Sequence, residues 1–218
     1  MRCRSEILEE FFAAFQEALW RRISRSWERA ELQDLRRIAA VDVAYRGELT
    51  LAAAVCWDLK KHEPIEEKWL ACEAPYPYVP GLLFLREAPP MLKAIKLLEH
   101  DWSLLLVDGH GILHPRRMGL AVMLGLILDK PALGIAKSLL IGVEGPGDYW
   151  GPVEVSGEVL GYWFKHVDGG RFYASPGYLL GVDRIPEIIK ALGAGYPEPL
   201  AHADKLSKRL ARSLPPRS

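Results

Sequence analysis

The sequence is poor in cysteine, carries no net charge and contains no long apolar run. Its three cysteines, Cys3, Cys56 and Cys72, are odd in number and show no Cys-x-x-Cys spacing. That argues against a zinc ribbon or a disulfide framework and fits a reduced, cytoplasmic setting. Twenty-eight Lys and Arg balance 28 Asp and Glu, so nothing draws the whole chain to a polyanion. A protein that coats nucleic acid non-specifically is disfavoured, whereas a local basic rim around an acidic centre is compatible with the balance. No apolar stretch approaches the roughly 20 residues needed to cross a bilayer, and Glu6, Glu9, Glu10 and Glu17 interrupt any secretory hydrophobic segment. There is no Gly-Lys-Ser/Thr phosphate loop, internal repeat or low-complexity tract.

Half of the 218 residues are hydrophobic, enough for the core of one large domain. Leu8, Phe11, Phe12, Phe15, Leu19 and Ile23 share one helical stripe over residues 5–24, with Ser5 as N-cap. This reads as a packing helix in an N-terminal extension over 1–34. Strands over 37–45, 49–57 and 65–72 follow as an antiparallel meander. Residues 75–81, Pro-Tyr-Pro-Tyr-Val-Pro-Gly, exclude a regular element. Pro89 and Pro90 place a helix start there, with the helix running to about 99 and Glu87 just outside it or inside its first turn. A wholly apolar strand over 103–108 reads as buried on both faces. A helix over 117–128, a strand over 132–136, a Gly/Pro-rich loop over 142–151, strands over 153–165 and 171–176, and helices over 183–193 and 198–213 complete the chain. The expected architecture is α/β: a central mixed sheet, an antiparallel meander plus parallel strands, flanked by helices.

Four isolated acids stand out of this pattern. Asp42 interrupts Ile38-Ala39-Ala40-Val41-Asp42-Val43-Ala44, and Asp108 ends Leu104-Leu105-Leu106-Val107. Glu87 and Asp204 are the other two. A carboxylate in an apolar strand is costly unless something neutralises it. Mg²⁺ or Mn²⁺ suits several converging carboxylates, and two such ions roughly 3.5–4 Å apart clamp a phosphodiester. Structural alternatives stand beside this: an ion pair of Asp42 with Arg37 or Lys137, a helix-dipole role for Glu87, an Asx-turn at Asp108. Lys137 follows an apolar strand end and is either a solvated lysine or a group that balances the acids and orients a phosphate. His114 either contacts phosphate or water or is satisfied by backbone groups. With only His110 near it, zinc is disfavoured. Tyr rings on the proline-braced segment 75–81 form either a packed surface loop or a wedge that replaces an extruded base.

Taken together, Val41-Asp42-Val43, Pro77-Tyr78-Val79-Pro80-Gly81, Phe84-Leu85-Arg86-Glu87, Val107-Asp108-Gly109-His110-Gly111, His114-Pro115-Arg116-Arg117-Met118-Gly119-Leu120-Ala121 and Gly134-Ile135-Ala136-Lys137-Ser138 resemble the endonuclease V family in order and spacing. Gly157-Glu158, Ser175-Pro176-Gly177 and Pro197-Glu198-Pro199 extend the resemblance, which spans about residues 35–208. It implies a ribonuclease H-like fold; a monomer without membrane attachment is expected separately. It also implies a Mg²⁺-dependent endonuclease, with Mn²⁺ as substitute, acting on inosine or deoxyinosine in nucleic acid. The cut falls at the second phosphodiester bond 3′ to the lesion and leaves 3′-hydroxyl and 5′-phosphate ends, a DNA-repair reaction. By the same resemblance Asp42, Glu87 and Asp108 hold the metal, Asp204 supports it or the attacking water, and Lys137 faces the scissile phosphate. Tyr78, Pro80 and Gly81 form the wedge, Gly81, Leu83, Gly109 and Leu120 line the base pocket, and His114 lies near the cleaved strand.

Leu200 and Ala201 depart from the family's usual Thr-Arg after Pro-Glu-Pro, and Ala88 stands where Gly is common. A pocket that bonds hypoxanthine's carbonyl and N1 hydrogen rejects adenine by leaving polar groups unpaired. Backbone groups at Gly81 and Gly109 are the expected donors and acceptors. DNA and RNA both remain open as substrates, with branched or mismatched nucleic acid as the alternative for a nuclease of this fold. A non-catalytic binder is disfavoured, because an intact acid set repels phosphate unless a metal is present.

Overall fold

A computed structural model of the chain describes residues 2–24, 35–166 and 169–213. Helix α1 (Arg2–Ile23) precedes the strands β1 (Arg37–Arg46), β2 (Leu49–Asp58) and β3 (Glu63–Glu73). Then come α2 (Leu83–Ile95), β4 (Leu104–Asp108), α3 (Leu120–Leu128) and β5 (Ala132–Ala136). Four further strands follow, β6 (Val143–Glu144), β7 (Trp150–Val155), β8 (Glu158–Lys165) and β9 (Arg171–Pro176). A 3-10 turn (Val182–Arg184), α4 (Ile185–Ala191) and α5 (Glu198–Ser213) close the described chain.

Among the described residues the strands form one sheet in the order β3-β2-β1-β4-β5-β9-β8-β7-β6. The meander β1–β3 is antiparallel, β4 runs parallel to β1 and β5 parallel to β4, and β9 returns antiparallel to β5. The expected mixed sheet is therefore present. Side chains alternate across it, as a period of two requires. Ala39, Val41, Leu105 and Val107 face one layer with Met91, Leu120 and Leu124, and partly buried Phe12, Leu19 and Ile23 of α1 join it. Ile38, Ala40, Leu104, Leu106, Leu133 and Ile135 face the other layer, built by Ile188, Leu200, Ala203 and Leu206 of α4 and α5.

Several boundaries differ from the sequence reading. Helix α1 starts at Arg2, so Ser5 lies inside it rather than at its N-cap. The linker 25–34 lies outside the described residues. Helix α2 starts at Leu83, not beyond the prolines, and carries Pro89 and Pro90 in its interior. Its buried stripe Phe84, Ala88, Met91 and Ile95 continues at helical spacing through them, so packing outweighs the lost donors. Glu87 consequently sits in mid-helix. Helix α3 starts at Leu120, three residues later than expected, because Gly111 to Gly119 folds back on itself: the Gly119 N–H reaches the Gly111 carbonyl at 3.1 Å. The span 153–165 is two strands joined at Ser156-Gly157, both with positive φ, and the loop 142–151 contains β6. No described helix is long and apolar enough to cross a membrane.

Candidate active site

Three strand rows that face α5 each lead to a charged residue, inside β1, at the end of β4 and just past the end of β5. Ile38 and Ala40 lead to Asp42, Leu104 and Leu106 to Asp108, and Leu133 and Ile135 to Lys137. The parallel register pairs Val41 with Val107 and so puts Asp42 beside Asp108. Above them, the buried stripe of α5 (Leu200, Ala203, Leu206, Ser207, Ala211) brings Asp204 and Ser207 onto the same spot. Carboxylate oxygens of Asp42, Asp108 and Asp204 all lie within 4.8 Å of one another.

The electrostatics show what this proximity does. Asp42 is only 5% exposed. Burial, and next to it the Asp108 charge, pushes its pKa up to about 7, against the pull of a 2.6 Å hydrogen bond donated by Ser207 Oγ. The ion pairs offered for Asp42, with Arg37 or Lys137, are not the contact the structure makes; Ser207 is. Lys137 Nζ instead bridges Asp108 Oδ2 at 2.8 Å and Asp204 Oδ1 at 2.7 Å. Burial opposes its charge, but the two acids hold its pKa above the ordinary lysine value. Asp204 also accepts from Lys208 Nζ at 2.7 Å. Burial works against its ionisation, yet the two lysines more than offset this and its pKa falls below the usual carboxylate value.

Glu87 stands beside this group without belonging to its tight set. Its Oε1 accepts from Tyr45 Oη at 2.7 Å, and Arg86 covers the Tyr45 ring at 4.6 Å. Burial pushes Glu87 up to about 7, the Tyr45 bond opposes this, and the Asp108 charge adds to it. An all-oxygen set of crowded carboxylates fits a hard divalent cation, which would offset both the burial and the Asp108 charge that raise Asp42.

Two residues beyond Asp108, His110 lines a cavity of about 200 Å³ together with Tyr78, Gly81, Leu83, His114 and Leu120. Gln16, Phe84, Met118, Ser138 and Leu140 contribute the remaining walls that matter here. Of the expected pocket and wedge residues, Tyr78, Gly81, Leu83 and Leu120 line this cavity. Gly109 lies behind Leu120, whose side chain is 3.2 Å from where a Gly109 Cβ would be. Tyr78 is 66% exposed, and Pro80 beside it is exposed too, on a turn ending at Gly81, whose φ is +78°. Burial lowers the pKa of His110.

His114 is buried and fully engaged. Its Nε2 donates to the Gly81 carbonyl at 3.1 Å and its Nδ1 accepts the Arg116 N–H at 3.2 Å, which fixes the neutral tautomer. Burial, and then the Arg116 charge, pushes its pKa down to about 4. Of its two sequence readings, backbone satisfaction is the one the geometry matches. The Gly81 carbonyl also accepts from Arg116 Nη2 at 2.6 Å, and the Gly109 N–H donates to the Ile135 carbonyl at 2.9 Å. Sequence reasoning missed Ser207 and Gln16. The first was visible as the i+3 neighbour of Asp204 on the buried stripe of α5; the second carried no local signal.

A mixed sheet of this order, with Asp42 inside β1 beside Asp108 at the end of the parallel strand β4 and Asp204 of α5 over them, defines a protein of the ribonuclease H-like class. The comparisons narrow it further. Residues 18–205 match the family model described as Endonuclease V. Endonuclease V of Sulfolobus acidocaldarius is 38% identical over 210 residues, covering 94% of this chain and 99% of that one. The crystal structure of endonuclease V from Streptomyces avermitilis is 30% identical with a TM-score of 0.80, covering 91% of this chain and 92% of that one. At 22% identity the Ciona intestinalis enzyme, solved with a 24mer DNA containing an inosine followed by a ribo-adenosine, shares the fold with a TM-score of 0.80, covering 95% and 98%. The chain belongs to the endonuclease V family.

Proposed function

We propose that this protein is a Mg²⁺-dependent endonuclease, with Mn²⁺ able to substitute, that captures deaminated adenine. It hydrolyses the second phosphodiester bond 3′ to the inosine and leaves 3′-hydroxyl and 5′-phosphate ends. The carrying observation is the convergence of Asp42, Asp108 and Asp204 within 4.8 Å, two residues along the chain from a cavity wall. A divalent ion bound there supplies charge neutralisation on the phosphate and a more acidic water.

The chain's own groups take the other roles. Asp42 and Asp108 would hold the ion from adjacent parallel strands, oriented by Ser207 and Lys137. Asp204 and Glu87 flank them, Asp204 toward the attacking water and Glu87 as the further ligand released from Tyr45. Lys137, half exposed between two carboxylates, would face the scissile phosphate. Tyr78 and Pro80 fill the gap left by the extruded base, which enters the cavity beside Gly81, Leu83, Gly109 and Leu120. Extrusion costs a few kcal/mol, least for a weakly paired base. We place the enzyme in the cytoplasm, acting as a monomer in DNA repair.

The test is one gel. Matched DNA and RNA strands with a single inosine or adenosine are incubated with Mg²⁺ and the wild type or Asp108→Ala. The expected result is cutting at one position of the inosine strands by wild type alone. Equal cutting of adenosine strands would overturn the lesion-specific reading, and no cutting with either ion would favour a binding protein.

A further inference from the structure

Gln16 lies in α1, ahead of residue 18 where the family match begins, and it is fully buried although polar. A buried amide persists only where both of its ends are bonded. Here Nε2 donates to the Met118 carbonyl at 2.8 Å, and Oε1 accepts from Arg116 Nε at 2.7 Å. The same guanidinium donates through Nη2 to the Gly81 carbonyl at 2.6 Å, and the His114 ring meets that carbonyl from a second side at 3.1 Å. A Cβ on Gly81 would lie 2.6 Å from Arg116 Nη2, so the turn is pressed against the guanidinium. Gln16 also lines the cavity itself. Helix α1 is seated here independently: Phe12 meets the Phe84 ring edge-on at 6.3 Å, next to Leu83.

We propose that Gln16 is a positioning residue for base capture. It fixes Arg116, and through Arg116 the carbonyl of Gly81, the last residue of the Tyr78-Val79-Pro80-Gly81 wedge. It touches neither the acids nor the lysines that serve them. Its loss frees the guanidinium to rotate about the bond that Oε1 restrains, and the wedge turn loses its inner anchor. The amide is matched to its partners: a donor faces a carbonyl and an acceptor faces a guanidinium. Glu at this position would keep the acceptor and set a second acceptor against the Met118 carbonyl; Met would fill the volume and make neither bond. The inference rests on the inosine reading above, since the wedge and the cavity take their roles from it.

The test is a double-variant cycle on the full chain with Q16M, R116M and Q16M/R116M. Inosine and adenosine strands are titrated by fluorescence anisotropy, with Ca²⁺ keeping the acids occupied, and Mg²⁺ cleavage is measured in parallel. Q16M is expected to weaken inosine-strand binding and raise KM by about ten- to a hundredfold, the scale of a small misplacement. Its kcat at saturation and its Mg²⁺ affinity stay near wild type. The double variant binds no more weakly than R116M alone, because one residue acts through the other. Additive losses would overturn the proposal, as would a Q16M effect that scales with a lowered Tm and lowers kcat along with raising KM. If Q16M fails to fold, Q16E carries the same cycle, and a Q16E protein that binds inosine like wild type overturns it. If the wild type itself does not prefer inosine over adenosine, the functional reading fails first and this inference falls with it. Preference in the wild type retained by Q16M removes this inference alone.

Discussion

The acid centre and the cavity begin two residues apart, at Asp108 and His110, yet they are built from different material. Asp42, Asp108 and Asp204 all sit on regular elements whose backbone is paired, and their places follow from strand register and helix period. The cavity draws on the 75–83 turn, the 109–119 loop and the segment after β5, with α1 closing it. Strands and helices hold charges at fixed separations, which metal chemistry requires. Loops with left-handed glycines such as Gly81 let backbone approach a ligand closely. Cutting and recognition are therefore expected to be separable by substitution.

The sharpest way to break that division is Asp42→Ala or Asp108→Ala. Each is expected to lower cleavage about a thousandfold or more, several kcal/mol of charge stabilisation at 1.36 kcal/mol per decade, in single-turnover assays. Next is Tyr78→Ala on the other side, where a lost stacking surface is worth about 1–3 kcal/mol in strand binding; Mg²⁺ affinity, read by calorimetry, stays unchanged. Ser207→Ala removes the one hydrogen bond that favours ionised Asp42 and should weaken Mg²⁺ binding by about 10- to 100-fold. The pH dependence follows from the same residue. The folded pKa values of Asp42 and Glu87 are raised to about 7, so the metal-free protein binds protons that the unfolded chain has released. Its stability is fully present below about pH 4 with respect to these groups and is lost as pH rises through 7. Melting curves without metal should fall across that window, Asp42→Asn should flatten the fall, and Mg²⁺ should restore the loss at pH 8 more than at pH 5. The smallest effect belongs to Lys208→Ala: a half-exposed lysine on Asp204 contributes at most about 1 kcal/mol, and cleavage should change only a few-fold.

The acid centre was the more legible of the two regions. Asp42 and Asp108 stand out in the sequence as charges in apolar runs, and once the strands are set in register, period-two alternation puts them on one face. Asp204 was legible as a helix position but not as the third member of the tight set, since nothing local says that α5 lies over β1 and β4. Glu87 was placed at a helix start because prolines normally end helices; the stripe Phe84, Ala88, Met91 and Ile95 carried α2 through them. The cavity was legible in its glycines and Tyr78 by family resemblance. Gln16 was not, because a buried amide is chosen by partners about 100 residues away, Arg116 and Met118, which a linear pattern cannot express.

The most direct test of the division between cutting and recognition is the inosine-over-adenosine binding ratio of the Asp42→Ala, Asp108→Ala double variant, taken on single strands by anisotropy. The expected result is a protein that no longer cuts and keeps the wild-type ratio. A ratio that collapses to one along with cleavage would contradict it, because the acids would then be part of the base-reading apparatus.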